Sequence, residues 1–162
     1  MHTNTAKPQD LVITHVFSAL SEEVWNAWTK EELLMQWWGG KGTTCTAAEM
    51  DVREGGTSAL TSAHKGGTDH ITWHYNHVTP LHRLEFTASR VDASGAKLDL
   101  EAAGYPADFP QDQRVVVTFK DFGEKETELF ITQHGWAEGP SLNTAKAALQ
   151  ESLEKLATVL AE

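Results

Sequence analysis

The feature that most constrains this chain is a single long amphipathic helix that follows a series of strands. From about Ser141 to Ala161 the apolar residues recur at helical spacing and form one stripe, which consists of Leu142, Ala145, Leu149, Leu153, Leu156 and Leu160. The opposite face of this helix is polar. Such a stripe has to be buried against another element, and the preceding sequence offers mainly a sheet for that purpose.

Strand patterns fill most of the chain before this helix. Apolar and β-branched residues predict a first strand over 11–17, and glycine-rich turn signals separate six further strands. The approximate cores of these six are 44–52, 57–64, 69–78, 82–91, 113–121 and 126–134. Because strands and helices do not alternate, the sequence predicts an α+β fold in which a curved antiparallel sheet of six to seven strands packs against one long helix.

Two short helices are predicted between the first two strands. Ser21 is a typical N-cap residue, and acidic side chains follow it in the first turn, where the helix dipole favours them. The second short helix is expected from about Lys30 to Trp38. Trp25 and Trp28 fall at helical spacing, and we expect them to pin the short helices to the sheet.

The length of 162 residues suits one domain, which we place at 10–162, after a flexible polar N-terminus at 1–9. The one cysteine, Cys45, excludes an internal disulfide and a thiolate zinc site. The N-terminus lacks the apolar core of a signal peptide, and no apolar run is long enough to span a membrane. A cytoplasmic location is therefore expected.

The acidic composition limits the classes of partner. The chain has 13 Lys and Arg against 23 Asp and Glu, which gives a formal net charge of −10. Nucleic acid and anionic membrane surfaces are bound through cations, so both are disfavoured as partners. Residues 92–128 hold nine acidic and four basic side chains, and we interpret this excess as solvated surface.

Patterns that would indicate a metal, a phosphate or a covalent nucleophile are weak. His70 and His74 lie on a predicted strand, where four residues span roughly 13 Å, too far for two ligands of one metal ion. The run Gly39–Thr43 lacks the spacing of a phosphate-binding loop, and no catalytic signature surrounds Cys45. No metal or cofactor is expected.

The strand patterns do indicate a concave inner surface. One helix cannot fill the concave face of a six- or seven-stranded sheet, so large side chains or a ligand must fill the rest. Trp73, Tyr75 and Phe86 share the inward parity and suit either role. His77 has the same parity as Trp73, and Glu49 either faces the interior or lies on a solvated edge.

Several motifs resemble those of a known family. The segment Val24-Trp25-Asn26-Ala27-Trp28-Thr29, followed by Leu33 and by Gln36-Trp37-Trp38-Gly39, resembles the tryptophan signature of the heat-shock protein 90 ATPase-activator-homologue-like family. Met50–Gly56, Tyr75–Leu84 and Glu126–Leu129 are similar to later motifs of that family, in the same order. The family belongs to the START-like (SRPBCC) superfamily.

The resemblance implies a helix-grip fold, with a cavity between the sheet and the C-terminal helix, and binding of an apolar or aromatic small molecule that is lipid-like or polyketide-like. The expected ligand-binding residues are Trp37, Trp38, Trp73, Tyr75, His77, Phe86, Phe119 and Leu149. The small residues Ala147 and Ala148 are expected to leave the cavity floor open, and the loop at 102–112 to cover one mouth.

Two other functions stay open at this point. One is an enzyme of cyclase, lyase or hydrolase type in which His77 or Glu49 acts as acid or base. The other is a stress-related cofactor of heat-shock protein 90, which is a possible chaperone partner. A homodimer is also possible. Binding is favoured over catalysis.

Overall fold

The computed structural model describes residues 9–137 and 139–161, and these residues form seven strands and three helices. The strands are β1 (Gln9–Phe17), β2 (Thr44–Glu49), β3 (Thr57–His64), β4 (Gly67–Thr79), β5 (Arg83–Val91), β6 (Asp112–Asp121) and β7 (Thr127–Trp136). The helices are α1 (Ser21–Thr29), α2 (Glu31–Leu34) and α3 (Pro140–Leu160). The predicted flexible N-terminus falls on residues 1–8, which lie outside the described residues, whereas Gln9 already belongs to β1.

The seven strands form one antiparallel sheet in the order β1-β7-β6-β5-β4-β3-β2. Strands β2 to β7 are a meander in which each strand pairs with its neighbour in sequence, and the longest connection within it, residues 92–111, joins β5 to β6. Strand β1 joins the sheet beside β7. The predicted α+β helix-grip architecture, a curved antiparallel sheet with a long C-terminal helix, is confirmed.

Helix α3 turns its apolar stripe toward the sheet. Leu149, Leu153 and Leu156 are buried, and Leu153 and Leu156 have no exposed surface at all. Ser152 is also buried, and its hydroxyl donates to the Ala148 carbonyl one turn earlier at 3.2 Å. The sequence pattern and the packing of α3 therefore agree. No helix in the described part of the chain is long and apolar enough to cross a membrane.

The short helices differ from their prediction in two details. Ser21 is the first residue of α1 and not its N-cap, because its hydroxyl donates to Asp121 Oδ1 at 2.5 Å and no side chain caps the helix. Helix α2 ends at Leu34, and turns carry the chain on through Trp37. The Trp37 indole Nε1 donates to the Ala27 carbonyl at 2.9 Å, which holds this turn region against α1.

A β-bulge in β4 changes the inward parity near the end of that strand. Tyr75 pairs with Phe86 on β5, but the next pairs are His77 with Glu85 and Val78 with Leu84, so one extra residue is inserted in β4. Val78 then packs against the core and His77 is exposed. The inward orientation predicted for His77 is therefore wrong, because it assumed an uninterrupted alternation.

Candidate functional site

A cavity of about 560 Å³ lies between the inner face of the sheet and α3. Its walls come from the middle strands of the sheet, from one face of α3, and from two loops, at 38–43 and 105–111. Cavities that bind small molecules commonly have this size and are mainly apolar, with a few polar groups.

Aromatic rings from β4, β5, α1 and the loop after α2 form one side of the cavity. Trp73 stacks on Phe86 at a centroid distance of 4.5 Å and on Trp28 at 5.9 Å, so three rings lie in one row. Trp38 meets Trp73 edge-on at 4.9 Å. All four residues line the cavity. Stacked and edge-on pairs of this kind stabilise one another and leave a rigid apolar wall.

Helix α3 forms the opposite wall with mostly small side chains. The residues that it contributes include Thr144, Ala145, Ala148, Leu149 and Ser152. Alanine and serine at these positions leave space that larger side chains would fill, which is one reason why the helix does not close the cavity. Of the two alanines expected to open the floor, Ala148 is in the wall and Ala147 is exposed outside it.

The segment 99–111 between β5 and β6, which we call the cover loop, closes part of one side. Tyr105 and Phe109 of this loop line the cavity and pack edge-on at 5.0 Å. Phe109 also meets Trp136 edge-on at 5.3 Å, and the Tyr105 hydroxyl donates to Asp69 Oδ1 at 3.4 Å. The loop thus contacts the sheet at two places, on β4 through Asp69 and on β7 through Trp136.

A hydrogen-bonded link ties the cover loop to α3. Asp108 accepts a hydrogen bond from the Ser141 backbone N–H at 3.1 Å and another from the Ser141 hydroxyl at 2.6 Å. These hydrogen bonds, which stabilise the ionised form, lower the pKa of the Asp108 carboxyl. The contact fixes the position of the loop relative to the first turn of α3.

Polar side chains of the sheet lie beneath the cover loop. They are Asp69 on β4, Arg90 on β5, Gln113 on β6 and Gln133 on β7, and all four line the cavity. The Arg90 guanidinium lies over the rings of Tyr105 at 5.5 Å and Phe109 at 4.9 Å. The cavity therefore has an aromatic region and a polar region.

Two buried N–H donors in the wall have no hydrogen-bond partner among the described residues. They are Trp28 Nε1 and Gln113 Nε2. Trp28 is only 1% exposed, and both residues line the cavity. A buried donor without a partner costs free energy, so such groups suit a ligand that brings acceptor atoms.

Of the eight residues expected to bind ligand, four lie in the cavity wall. These are Trp38, Trp73, Phe86 and Leu149. Their role in binding stays a prediction, because the structure gives their position only.

Three others, Trp37, Tyr75 and Phe119, are buried in the core outside the wall. Burial raises the pKa of Tyr75 to about 12, and its hydroxyl shares a hydrogen bond of 2.7 Å with the Ser58 hydroxyl. Phe119 packs edge-on against Trp25 at 5.2 Å.

His77 and Glu49 are both exposed and lie outside the cavity wall. The bulge in β4 turns His77 outward, where its Nδ1 lies 3.9 Å from the Glu54 carboxylate. Glu49 ends β2 on the solvated side of the sheet edge. The structure does not bring these two residues together, and it places neither where it could act on a bound molecule.

Sequence reasoning missed several wall residues. Helical spacing predicts that Trp28 pins the short helices to the sheet, and it does not indicate that Trp28 also lines the cavity. The alternation that places Phe86 and Ala88 inward continues to Arg90, so this arginine could have been found from the same pattern. The cover-loop residues carry no local signal, since their position depends on long-range contacts.

Comparisons with known proteins agree with this fold. Residues 18–161 match the family described as "Activator of Hsp90 ATPase homolog 1-like protein". No curated protein matches the sequence.

Solved structures show the same architecture. A protein from Chromobacterium violaceum is 22% identical, with a TM-score of 0.76 over 93% of this chain and 96% of its own. The AHSA1 protein from Silicibacter pomeroyi is 19% identical, with a TM-score of 0.75 over 94% of this chain and 98% of its own. An AHSA1-like protein from Aeromonas hydrophila is also 19% identical, with a TM-score of 0.67 over 93% of this chain and 90% of its own. At these identities the likeness concerns the fold.

Proposed function

Because this chain belongs to the Activator of Hsp90 ATPase homolog 1-like family, of the START-like superfamily, we propose that it binds an apolar or aromatic small molecule. The molecule, lipid-like or polyketide-like, occupies the cavity between the sheet and α3. The observation that carries the proposal is the cavity of about 560 Å³ with its row of three stacked rings.

The apolar wall supplies the driving force. An apolar ligand gains roughly 25 cal/mol for each Å² of apolar surface that leaves water. Trp73 and Phe86 are already buried and held by their neighbours, so little side-chain entropy is lost when a ligand packs against them. Size, shape and rigidity of the wall all favour a ligand with flat or slender apolar parts.

The experiment that tests this function is ligand extraction. Freshly purified protein is measured by native mass spectrometry and then extracted with organic solvent, and the extract is compared with that of a cavity-filling variant. Ala145→Phe places a large ring in the α3 wall, whereas Ala147→Phe makes the same change at an exposed position outside it.

A bound apolar molecule that disappears in Ala145→Phe and persists in Ala147→Phe supports the proposal. The function is rejected if neither the extract nor titration with aromatic probes reveals binding to the unaltered protein. It is also rejected if both variants retain the same molecule in the same amount, because that molecule then binds elsewhere.

The other functions lack comparable support. The candidate acid–base residues, His77 and Glu49, are exposed and lie outside the cavity wall. The family description names a chaperone ATPase activator, but it identifies neither a partner nor a ligand of this chain. A cytoplasmic location and a homodimer stay predictions of the sequence.

A further inference from the structure

We propose that the ligand is an elongated aromatic acid, whose rings lie along Trp73 and Phe86 and whose carboxylate is bound by Arg90 and Gln113. This inference rests on the proposed function and specifies the chemical class that the cavity takes. Four observations support it. They are the positive charge of Arg90, the buried N–H groups of the wall that have no partner, the contacts that the Asp69 carboxylate already makes, and the distance along β5 from Phe86 to Arg90.

Arg90 brings a cation to the cavity wall. Its guanidinium packs on the faces of Tyr105 and Phe109, and no carboxylate oxygen of the described residues lies within ion-pair distance of it. By contrast, Arg83 and Arg114 on the outer face both bind Glu85, at 3.2 and 2.6 Å. A planar guanidinium in a partly buried site favours a carboxylate, which it can bind through two parallel hydrogen bonds.

The unpartnered polar atoms of the wall are donors. Gln113 Nε2 and Trp28 Nε1 are both buried N–H groups without a partner in the described residues. Gln113 follows the same inward face of the sheet as Arg90, because it pairs with Ala88, two residues before Arg90 on β5. A ligand group that satisfies Gln113 Nε2 must present an acceptor atom, and an ionised carboxylate is an acceptor without donors.

Asp69 is the acidic group of the polar region, and its oxygens are already engaged. Oδ2 lies 2.9 Å from His64 Nε2, which is within ion-pair distance, although the two atoms do not have the geometry of a hydrogen bond. Oδ1 accepts a hydrogen bond from the Tyr105 hydroxyl. Both oxygens of Asp69 therefore already have polar neighbours, His64 and the Tyr105 hydroxyl. The net charge of the whole chain is screened over about 10 Å in ordinary salt, so local contacts decide the preference.

The spacing along β5 sets the length of the ligand. Phe86, Ala88 and Arg90 face the cavity in succession, and four residues of a strand span roughly 13 Å. Ala88 between them leaves space above the sheet. An acid with two or three aromatic rings in line reaches from the stacked rings to the guanidinium.

The test uses three probes of one shape, namely biphenyl-4-carboxylate, biphenyl-4-methanol and biphenyl-4-methylamine. Each is titrated by calorimetry into the unaltered protein and into Arg90→Met, Arg90→Lys and Arg53→Met. Arg53→Met removes the same charge from an exposed arginine outside the cavity wall. Circular dichroism and thermal unfolding establish that each variant is folded.

We expect the carboxylate to bind at least about tenfold more tightly than the alcohol, and the amine to bind most weakly. Arg90→Met should remove the preference for the carboxylate while the alcohol affinity stays the same. Arg90→Lys should keep part of it, because the charge remains and the paired hydrogen bonds are lost. Arg53→Met should bind all three probes as the unaltered protein does.

Three outcomes overturn the inference. If the carboxylate and the alcohol bind equally well to the unaltered protein, the ligand class is wrong and the cavity function stands. If Arg90→Met weakens both probes equally while Arg90→Lys restores both, Arg90 acts only by supporting the cover loop. If none of the probes binds and extraction also yields nothing, the proposed function fails together with the inference.

Discussion

Asp108 and Ser141 join the cover loop to α3 through two hydrogen bonds, at 3.1 Å to the backbone N–H and 2.6 Å to the hydroxyl. The two residues are 33 positions apart in sequence, so this contact is a property of the fold. Because Pro140 starts α3 and has no backbone N–H of its own, the Ser141 N–H is the first free donor of that helix.

Asp108→Ala should loosen the cover loop. Without the carboxylate both Ser141 donors lose their partner, and the amides of residues 99–111 should exchange with deuterium several-fold faster, while β6 and β7 exchange unchanged. Hydrogen exchange with mass spectrometry measures this. Glu101→Ala, an exposed acidic residue of the same loop, is the matched control, and equal exchange in the two variants would contradict the role of Asp108.

The same contact should depend on pH. The pKa of Asp108 is lowered in the folded protein by its hydrogen bonds to Ser141, so its contribution to stability is complete above the unfolded value of about 4. It is lost as the pH falls below that value, through the folded pKa. Thermal unfolding of the unaltered protein and of Asp108→Asn should therefore converge at low pH, and a constant difference down to the acid limit would refute this assignment.

Phe86→Leu should weaken the binding of every aromatic probe. The substitution removes one ring of the stacked row that lines the cavity, and with it a ring–ring contact to the probe that should be worth about 1 kcal/mol. Unlike Arg90→Met, it should lower the affinities for biphenyl-4-carboxylate and biphenyl-4-methanol by the same factor, about fivefold, in calorimetry. Phe122→Leu, at an exposed position, should leave both affinities unchanged.

Tyr75→Phe should destabilise the fold without changing probe affinity. The hydrogen bond of 2.7 Å to Ser58 is buried, and its loss should lower the free energy of unfolding in urea by about 1 kcal/mol. Ser58→Ala and the double variant complete a cycle that isolates the pair. A fall in probe affinity comparable with that of Phe86→Leu would show that Tyr75 contacts the ligand.

The buried Tyr75 phenol should also make the stability of the fold fall at alkaline pH. Its pKa in the folded protein is about 12, above the unfolded value of about 10, mainly because burial disfavours the phenolate. The stabilising contribution is therefore complete below about pH 10 and is lost as the pH rises toward 12. Tyr75→Phe should show a smaller loss of stability over this range, and identical alkaline profiles would count against the buried phenol.

The strands and the long helix could be predicted because their signals are local. Leu149, Leu153 and Leu156 mark the buried face of α3, and the alternation of Leu84, Phe86 and Ala88 gives the inner face of β5. Each pattern is local, because the residues on the buried face of a helix or a strand recur at a fixed short spacing in the sequence.

The features that could not be predicted depend on contacts between distant residues or on the volume left between the sheet and α3. The bulge after Tyr75 reverses which residues of β4 face inward. The sequence of this strand is equally compatible with an uninterrupted alternation, so it does not predict the bulge. The position of Tyr105 is set by contacts with Asp69, 36 residues away. Whether Trp73 fills the core or lines a cavity depends on how much space the opposing α3 side chains leave, which no local pattern encodes.

The position of β1 beside β7 has a consequence for the order of folding. Thr127 at the start of β7 donates its hydroxyl to the Ala19 carbonyl just after β1, across 108 residues of chain. The β2–β7 meander can assemble from strands that are neighbours in sequence, whereas β1 pairs with β7 only after a closure of this length, which is slow. We therefore expect β1, which precedes the other strands in sequence, to complete its pairing last, so its apolar residues stay exposed until β7 has formed.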